Sequence, residues 1–129
     1  MGVNNLPKIS ESELEVLQLI WEYSEPMTVT QIRTEMTERT DWEPATVKTL
    51  LSRLHKKGAV ERVYSDEKKV YLYSPLVSKE DYSRKSASNL IGKLFDGNAK
   101  KLVASLIQSD RLTKEDIAEL YEKWGSDEN

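Results

Sequence analysis

The sequence contains no cysteine and only one histidine, His55. Without cysteine the chain has no disulfide scaffold, no thiolate metal cluster and no cysteine nucleophile. A single histidine excludes a His-His metal pair, and a serine nucleophile, which needs a base and an orienting group, would depend on that residue alone. No phosphate loop, nucleophile elbow or metal-ligand spacing is found in the sequence. We therefore expect no enzyme, no cofactor and no metal site.

The chain also lacks a long apolar run. No segment approaches the roughly 18 apolar residues that a membrane-spanning helix needs, and charged residues make up 32% of the 129 positions. The first residues contain no apolar segment of the kind found in secretory signals. We expect a cytoplasmic protein without membrane insertion, with room for one small domain and an appendage.

The 19 basic residues are outnumbered by 22 acidic ones, which gives a net charge of −3, but the basic residues are unevenly distributed. Residues 1–43 contain three basic and nine acidic residues, residues 44–75 contain seven and three, and residues 76–129 contain nine and ten. A local positive patch matters more for phosphate attraction than the overall charge. Charge alone is equally consistent with an ordinary solvated basic surface. The positions of the basic residues on the predicted helices and strands must therefore distinguish such a surface from a nucleic-acid-binding patch.

Helix starts are the strongest local signals. Three segments have the capping-box pattern, in which Ser or Thr is followed three residues later by a side chain that can return the hydrogen bond: Ser10-x-x-Glu13, Thr28-x-x-Gln31 and Thr113-x-x-Asp116. Apolar spacing predicts helices over residues 11–23 and 29–39 and a third from Pro44 to Gly58. The period then changes to two, which predicts strands over residues 59–64 and 69–73 joined by a polar turn.

The exposed face of the third predicted helix is small, hydroxylated and basic. Opposite its apolar stripe lie Ala45, Thr46, Lys48, Thr49, Ser52, Arg53 and Lys56. No acidic residue occurs between Ala45 and Lys57, whereas ordinary surface helices interleave Glu with Lys. A face of small residues can enter the major groove of DNA, where Ser, Thr, Lys and Arg bind base edges and phosphates. We predict that this face contacts double-stranded DNA.

Three helices followed by a hairpin are typical of a winged helix-turn-helix domain, in which the hairpin is the wing. We assign residues 1–76 to this DNA-binding domain and expect Arg62, Lys68 and Lys69 to contact the phosphate backbone from the wing. Asp66 and Glu67 at its tip disfavour deep insertion. The predicted fold class is mainly α with a small β-hairpin wing, followed by a C-terminal helical dimerisation region.

Residues 77–129 are predicted to form further helices with narrow apolar stripes. About fifty such residues offer too little core to be stable alone, and a second copy of the chain is the simplest partner for them. We therefore predict a homodimer. The expected interface residues are Leu90, Leu94, Leu102, Leu106, Ile117, Leu120 and Trp124.

Three segments carry a resemblance to a known family. They are ISESELEVL at residues 9–17, DWEPATVKTLLSRLHKKGA at residues 41–59 and YLYSP at residues 71–75. They resemble the opening, the recognition helix and the end of the wing in the penicillinase-repressor family of the BlaI/MecI type. The likeness continues to about Leu120. It implies a dimeric transcriptional repressor that binds a palindromic operator and controls β-lactam resistance genes.

The resemblance also implies a mode of inactivation. In the β-lactam-responsive members, a sensor-linked protease pathway cuts an Asn-Phe pair in the dimerisation region. By register, Ser105 and Leu106 occupy that pair here, and both differ from the family's residues. The copper-responsive branch of the family carries a cysteine-containing tail, which a chain without cysteine does not have.

Alternative functions remain open from the sequence. A winged helix used for protein–protein contact would present an apolar or acidic third helix, which disagrees with the basic face. A winged-helix regulator of other genes could instead be switched by a small ligand or another signal. His55 is interpreted as a partly exposed helix residue or a phosphate contact, not as a catalytic base.

Overall fold

The computed structural model of the protein describes residues 6–125, and its first three helices begin where their capping patterns predict. They are α1 (Glu11–Glu22), α2 (Val29–Arg39) and α3 (Pro44–Lys56). The capping boxes of α1 and α2 both form, and α3 begins at its proline. Residues 1–5 and 126–129 lie outside the described residues. The first of these ranges includes part of the segment from which we expect no secretory signal.

A three-stranded antiparallel sheet lies beside these helices. Its strands are β1 (Met27–Thr28), β2 (Val60–Ser65) and β3 (Val70–Pro75), in the order β1-β3-β2. β2 and β3 form the predicted hairpin, with Ser65 opposite Val70 at its closed end. β1 was not predicted, because two residues directly before a helix cap are too short to show an alternating pattern.

The core of this first unit lies between the three helices and the sheet. Its buried apolar residues are Val16, Leu17, Leu19, Ile20, Met27, Ile32, Met36, Val47, Leu50, Leu51, Leu54, Ala59, Val60, Tyr73 and Val77. The apolar stripe predicted for α3 is thus buried, which leaves the opposite face of α3 exposed. The Trp21 indole donates a hydrogen bond to the carbonyl oxygen of Val77 at 2.8 Å, which holds the segment after the wing against α1.

The chain divides into two compact units, Met1–Lys85 and Ser86–Asn129. Three further helices follow the sheet: α4 (Lys79–Leu94), α5 (Ala99–Gln108) and α6 (Lys114–Trp124). α6 begins with the third predicted capping box. The predicted fold class is confirmed, whereas the functional boundary between residues 76 and 77 stays a prediction. None of the helices among the described residues is long and apolar enough to cross a membrane.

Candidate nucleic-acid interface

The exposed side chains of α3 lie together along one face of the helix. A shallow depression is lined by Ala45, Lys48, Thr49, Ser52, Arg53 and Lys56. A second depression is lined by Ala45, Thr46, Thr49, Leu50 and Arg53. The two share Ala45, Thr49 and Arg53, so all seven α3 residues predicted to contact DNA lie on one surface. No carboxylate lines either depression, and the surface offers only hydroxyl groups, cations and small side chains to a ligand.

The turn between α2 and α3 sets the direction in which α3 leaves the core. The backbone N–H and the hydroxyl of Thr40 both donate to the carbonyl oxygen of Met36, at 2.9 and 2.8 Å. The same hydroxyl accepts the backbone N–H of Trp42 at 3.1 Å, and the Trp42 side chain packs against the core. One threonine side chain therefore closes α2 and begins the segment that leads to Pro44.

The other end of α3 is held by an ion pair that sequence reasoning missed. Lys57 Nζ lies 2.6 Å from Glu13 Oε1 in the first turn of α1 and also donates to the carbonyl oxygen of Lys8. Burial by itself raises the pKa of Glu13, but the hydrogen bonds from Lys57 and from the Ser10 backbone outweigh it and leave that pKa lowered. Gly58, with φ of 80°, ends the helix as predicted. Lys57 is thus a structural residue, although it adds to the basic charge of the segment.

The wing brings Arg62 next to α3. A groove between the wing, α3 and the start of α2 is lined by Thr28, Val29, Thr30, Lys48, Arg62, Tyr64, Lys69, Val70, Tyr71 and Tyr73. Arg62 Cζ lies 4.6 Å from the centre of the Tyr71 ring, a cation–π distance, and hydrogen bonding to the Tyr73 side chain raises the pKa of the Arg62 guanidinium. Arg62 therefore lies over Tyr71 and opposite Tyr73, on the face of the wing that adjoins α3.

The two lysines of the wing turn have different positions. Lys69 lines the groove, has a φ of 61° and donates its backbone N–H to the carbonyl oxygen of Ser65 at 2.7 Å. Lys68 is exposed in the turn and is not among the residues that line the groove. Asp66 and Glu67 are exposed at the tip, as expected. The structure therefore brings Arg62 and Lys69 together with the surface of α3 and leaves Lys68 at the end of the wing.

In the second unit the residues predicted to dimerise are largely exposed. Leu94 is 69% exposed and Trp124 is 60% exposed, and Leu90 and Leu120 are also exposed. Leu102, Leu106 and Ile117 are half-buried. Ser105 and Leu106 lie inside α5, where Ser105 is exposed.

The described residues contain little that suggests other chemistry. Across residues 6–125 no group of three or more His, Asp or Glu side chains could hold a metal ion. His55, the one imidazole of the chain, lies on the exposed side of α3 between that helix and the wing. The site therefore consists of the basic face of α3 and of Arg62 and Lys69 on the wing.

A three-helix core with a hairpin wing and a carboxylate-free basic helix face defines a winged-helix protein of the DNA-binding class. The model of the Penicillinase repressor family matches residues 9–126, and the chain belongs to this family. The resemblance identified in the sequence is thereby confirmed. The family consists of transcriptional repressors and not of enzymes, so the protein is a DNA-binding repressor.

Characterised relatives match nearly the whole chain. The penicillinase repressor of Bacillus licheniformis is 31% identical over 120 residues, which cover 93% of this chain and 91% of that protein. The methicillin resistance regulatory protein MecI of Staphylococcus aureus strain N315 is 32% identical over 117 residues, which cover 91% of this chain and 93% of MecI.

Two solved structures support the fold of the first unit. The solution structure of the DNA-binding domain of the repressor BlaI is 35% identical and superimposes with a TM-score of 0.53, over 60% of this chain and 90% of that domain. The Bacillus licheniformis BlaI monomeric form, solved in complex with the blaP half-operator, gives a TM-score of 0.52 at the same identity and coverage.

Proposed function

We propose that this repressor binds a pseudo-palindromic operator as a homodimer, controls β-lactam resistance genes and is inactivated by proteolysis in its dimerisation region. The observation that carries the proposal is the exposed face of α3, on which seven exposed residues lie together without a carboxylate. The relatives named for penicillinase and methicillin resistance support the choice of regulated genes.

Recognition is assigned to α3 and positioning to the wing. The major groove is about 12 Å wide and admits a helix with small exposed side chains. Arg53 and Lys48 suit guanine edges and phosphates, and the hydroxyls of Thr49 and Ser52 suit either. Arg62 and Lys69, which line the adjoining groove, would contact the phosphate backbone beside the helix. The acidic tip of the wing supports a backbone role and disfavours base reading.

A homodimer is proposed because the C-terminal helices leave apolar side chains in solvent. None of the residues of α4, α5 and α6 is buried in the single chain, and Leu94, Leu120 and Trp124 are among the large exposed apolar residues. The BlaI monomeric form was solved with a half-operator, which supports the assignment of one half-site to each chain. Joining two chains makes the second contact intramolecular, which can raise the affinity by roughly 10²–10⁴.

Proteolysis between Ser105 and Leu106 would then act as the inducing event. A cut at this bond, or within two residues of it, would separate α6 and the end of α5 from the rest of the chain. The dimer would lose Leu120 and Trp124 without any change in the face of α3, and each released monomer would keep only one half-site. The proposed partner is a sensor-linked protease. Because the bond lies within α5, the helix has to unwind locally before a protease can bind it in extended form.

Selection from a random pool of duplexes tests the operator assignment. We expect the full-length protein to enrich an inverted repeat whose half-sites lie about one helical turn apart, or a multiple of it. Enrichment of an unrepeated site, or no enrichment, would contradict the dimeric mode of binding.

A second experiment tests the inducing event. Cells that carry the protein are exposed to a β-lactam, and the length of the chain is followed by mass spectrometry while target transcripts are measured. We expect a fragment ending within two residues of Ser105 as transcription rises. A chain that stays full length while its target genes are induced would eliminate proteolysis and favour a small ligand or another signal.

A further inference from the structure

The connection between the wing and α4 is short and is tied to the first unit. Only residues 76–78 lie between β3 and α4. The backbone N–H of Leu76 donates to the carbonyl oxygen of Ala59 at 2.8 Å. The next side chain, Val77, is buried in the core, and its carbonyl oxygen accepts the indole N–H of Trp21 at 2.8 Å. Because buried and hydrogen-bonded segments open rarely, this connection does not behave as a flexible linker.

The first turn of α4 is fixed by a cap and by an aromatic contact. The Ser78 hydroxyl accepts the backbone N–H of Asp81 at 3.0 Å, which caps the helix. One turn later the ring of Tyr82 lies against the ring of Trp21, with 6.1 Å between the ring centres and 47° between the planes. Both rings pack against the core of the first unit. Trp21 therefore contacts the chain on both sides of the start of α4, through its indole N–H at Val77 and through its ring at Tyr82.

α4 continues from this turn as one helix. It runs from Lys79 to Leu94 without a proline, and the boundary between the two compact units falls inside it, after Lys85. A helical connection is a semi-rigid spacer of about 1.5 Å per residue, unlike a coil rich in glycine and serine. Leu90 and Leu94, two of the residues proposed to form the dimer interface, lie on later turns of the same helix. A change of direction at the first turn would therefore be transmitted to them.

The aromatic pair lies apart from the surface proposed to contact DNA. Neither Trp21 nor Tyr82 lines the depressions of the α3 face or the groove beside the wing. Substitution of either residue can therefore change the direction of α4 while the side chains proposed to contact DNA stay unchanged.

We propose that Trp21 and Tyr82 are positioning residues that fix the direction in which α4 leaves the DNA-binding unit, and that they thereby set the half-site spacing that the dimer accepts. This inference rests on the proposed function, since it assumes a dimer formed through the C-terminal helices and one half-site for each chain. It assigns the selectivity for spacing to an aromatic contact that does not touch the operator.

The effect on affinity follows from the effective concentration of the second half-site. In a dimer the second contact is intramolecular, and its advantage is greatest when the connection matches the span between the two sites. Half-sites moved apart by about five base pairs lie on opposite faces of the duplex, since one helical turn is about 10–10.5 base pairs. A dimer with a fixed direction of α4 should therefore favour one spacing strongly. A dimer whose α4 can swing should accept several spacings more equally.

Four variants separate this role from a general structural one. Tyr82→Leu removes the ring contact but keeps an apolar side chain against the core, and Tyr82→Phe keeps the ring. Trp21→Phe keeps an aromatic ring but removes the N–H that binds the carbonyl oxygen of Val77. Tyr23→Leu is the matched control, because it removes an exposed tyrosine at the end of α1 whose hydroxyl donates to Glu35 and not to the segment around α4.

The test measures the Kd of the full-length protein for a single half-site and for operators whose half-sites are moved apart in steps up to about one helical turn. We expect the wild type, Tyr82→Phe and Tyr23→Leu to prefer the selected spacing by roughly 10²–10⁴ over a displacement of about five base pairs. In Tyr82→Leu and Trp21→Phe this preference should fall by about tenfold or more. The Kd for the single half-site should be the same in all five proteins.

Light scattering and circular dichroism accompany each variant, because loss of the dimer or of the fold would also remove the preference. A spacing preference in Tyr82→Leu and Trp21→Phe equal to that of the wild type overturns this proposal alone. A variant that becomes monomeric, or that loses as much affinity for the single half-site as for the operator, also overturns it, because the pair would then serve dimerisation or folding. A wild type that binds the operator no more tightly than the single half-site contradicts dimeric binding and overturns the proposed function as well.

Discussion

Glu13 in the first turn of α1 and Lys57 at the end of α3 form an ion pair across 44 positions of the sequence, with 2.6 Å between Oε1 and Nζ. Glu13 is 2% exposed, and its Oε1 also accepts the backbone N–H of Ser10 at 2.9 Å. One carboxylate thus caps α1 and fixes the end of α3, the helix proposed to contact DNA. The orientation of α3 therefore depends on a residue far from the interface.

We expect Glu13→Gln to destabilise the first unit. Glutamine can still cap α1, but it leaves the Lys57 ammonium without its counter-charge, and a hydrogen bond to a charged group contributes about 1.5–3 kcal/mol. Because Lys57 is 36% exposed and can be hydrated, the loss should be near the lower end of this range. Urea unfolding at pH 7 measures it. Glu11→Gln, in the same turn but exposed, is the matched control, and equal midpoints for the two variants would contradict the role of the pair.

The same pair predicts a pH dependence of stability. The pKa of Glu13 is lowered in the folded state, so its contribution is fully present above the ordinary carboxyl value of about 4.3 and is lost as the pH falls through the lower, folded value. The difference in unfolding free energy between the wild type and Glu13→Gln should therefore shrink below about pH 4. A difference that stays constant from pH 7 down to pH 3 would show that the carboxylate charge is not the stabilising feature.

Arg53→Ala tests the face of α3. Arg53 lines both depressions of that face, and a bidentate contact to a base is worth about 1–3 kcal/mol. We expect operator binding to weaken by this amount while circular dichroism stays unchanged. Lys79→Ala removes the same charge from the exposed start of α4 and should have little effect. Operator binding by Arg53→Ala as tight as that of the wild type across a salt series would mean that the interface is wrongly placed.

Lys69→Gly should separate stability from DNA binding. Lys69 has a φ of 61°, a backbone conformation that costs a residue with a side chain roughly 1–2 kcal/mol and that glycine adopts without this cost. Glycine is also more flexible in the unfolded chain, which lowers the free energy of unfolding by about 0.5–1 kcal/mol and offsets part of the gain. We expect stability to be unchanged or slightly higher and the salt dependence of operator binding to be shallower by about one phosphate contact.

Lys68→Gly is the control for stability, because the φ of Lys68 is not positive. It should destabilise the hairpin slightly. If Lys69→Gly lowers the urea midpoint as much as Lys68→Gly does, the strain assigned to Lys69 is absent.

Leu94→Glu should dissociate the proposed dimer. Leu94 is 69% exposed in α4, so the substitution removes no core contact in the single chain, but a buried carboxylate in a dimer interface is costly. Light scattering at micromolar concentration should give twice the 14.8 kDa chain mass for the wild type and one chain mass for the variant. Leu76→Glu, an equally apolar exposed position in the first unit, serves as the control. A monomeric wild type would remove the basis for the dimer.

Local features of the chain follow from the sequence because they depend on contacts within a few residues. The capping boxes at Ser10, Thr28 and Thr113, the start of α3 at Pro44 and its end at Gly58 all form as predicted. Each depends on hydrogen bonds or backbone preferences over three or four positions. The exposed face of α3 also follows, since a periodic apolar stripe defines the opposite side of a helix.

Contacts between distant segments were decided only by the tertiary structure. Lys57 and Glu13 pair across 44 positions, and β1 joins the sheet because Met27 meets Tyr73. The hairpin brings Arg62 beside α3, where both line the pocket that contains His55. Of the two lysines in the turn, Lys69 lines the groove and Lys68 does not. By itself the sequence determined which residues are basic and which helix carries them. Which basic residues lie on the proposed DNA-contacting surface and which, like Lys57, form structural ion pairs depends on packing between elements. No short-range sequence pattern encodes that packing.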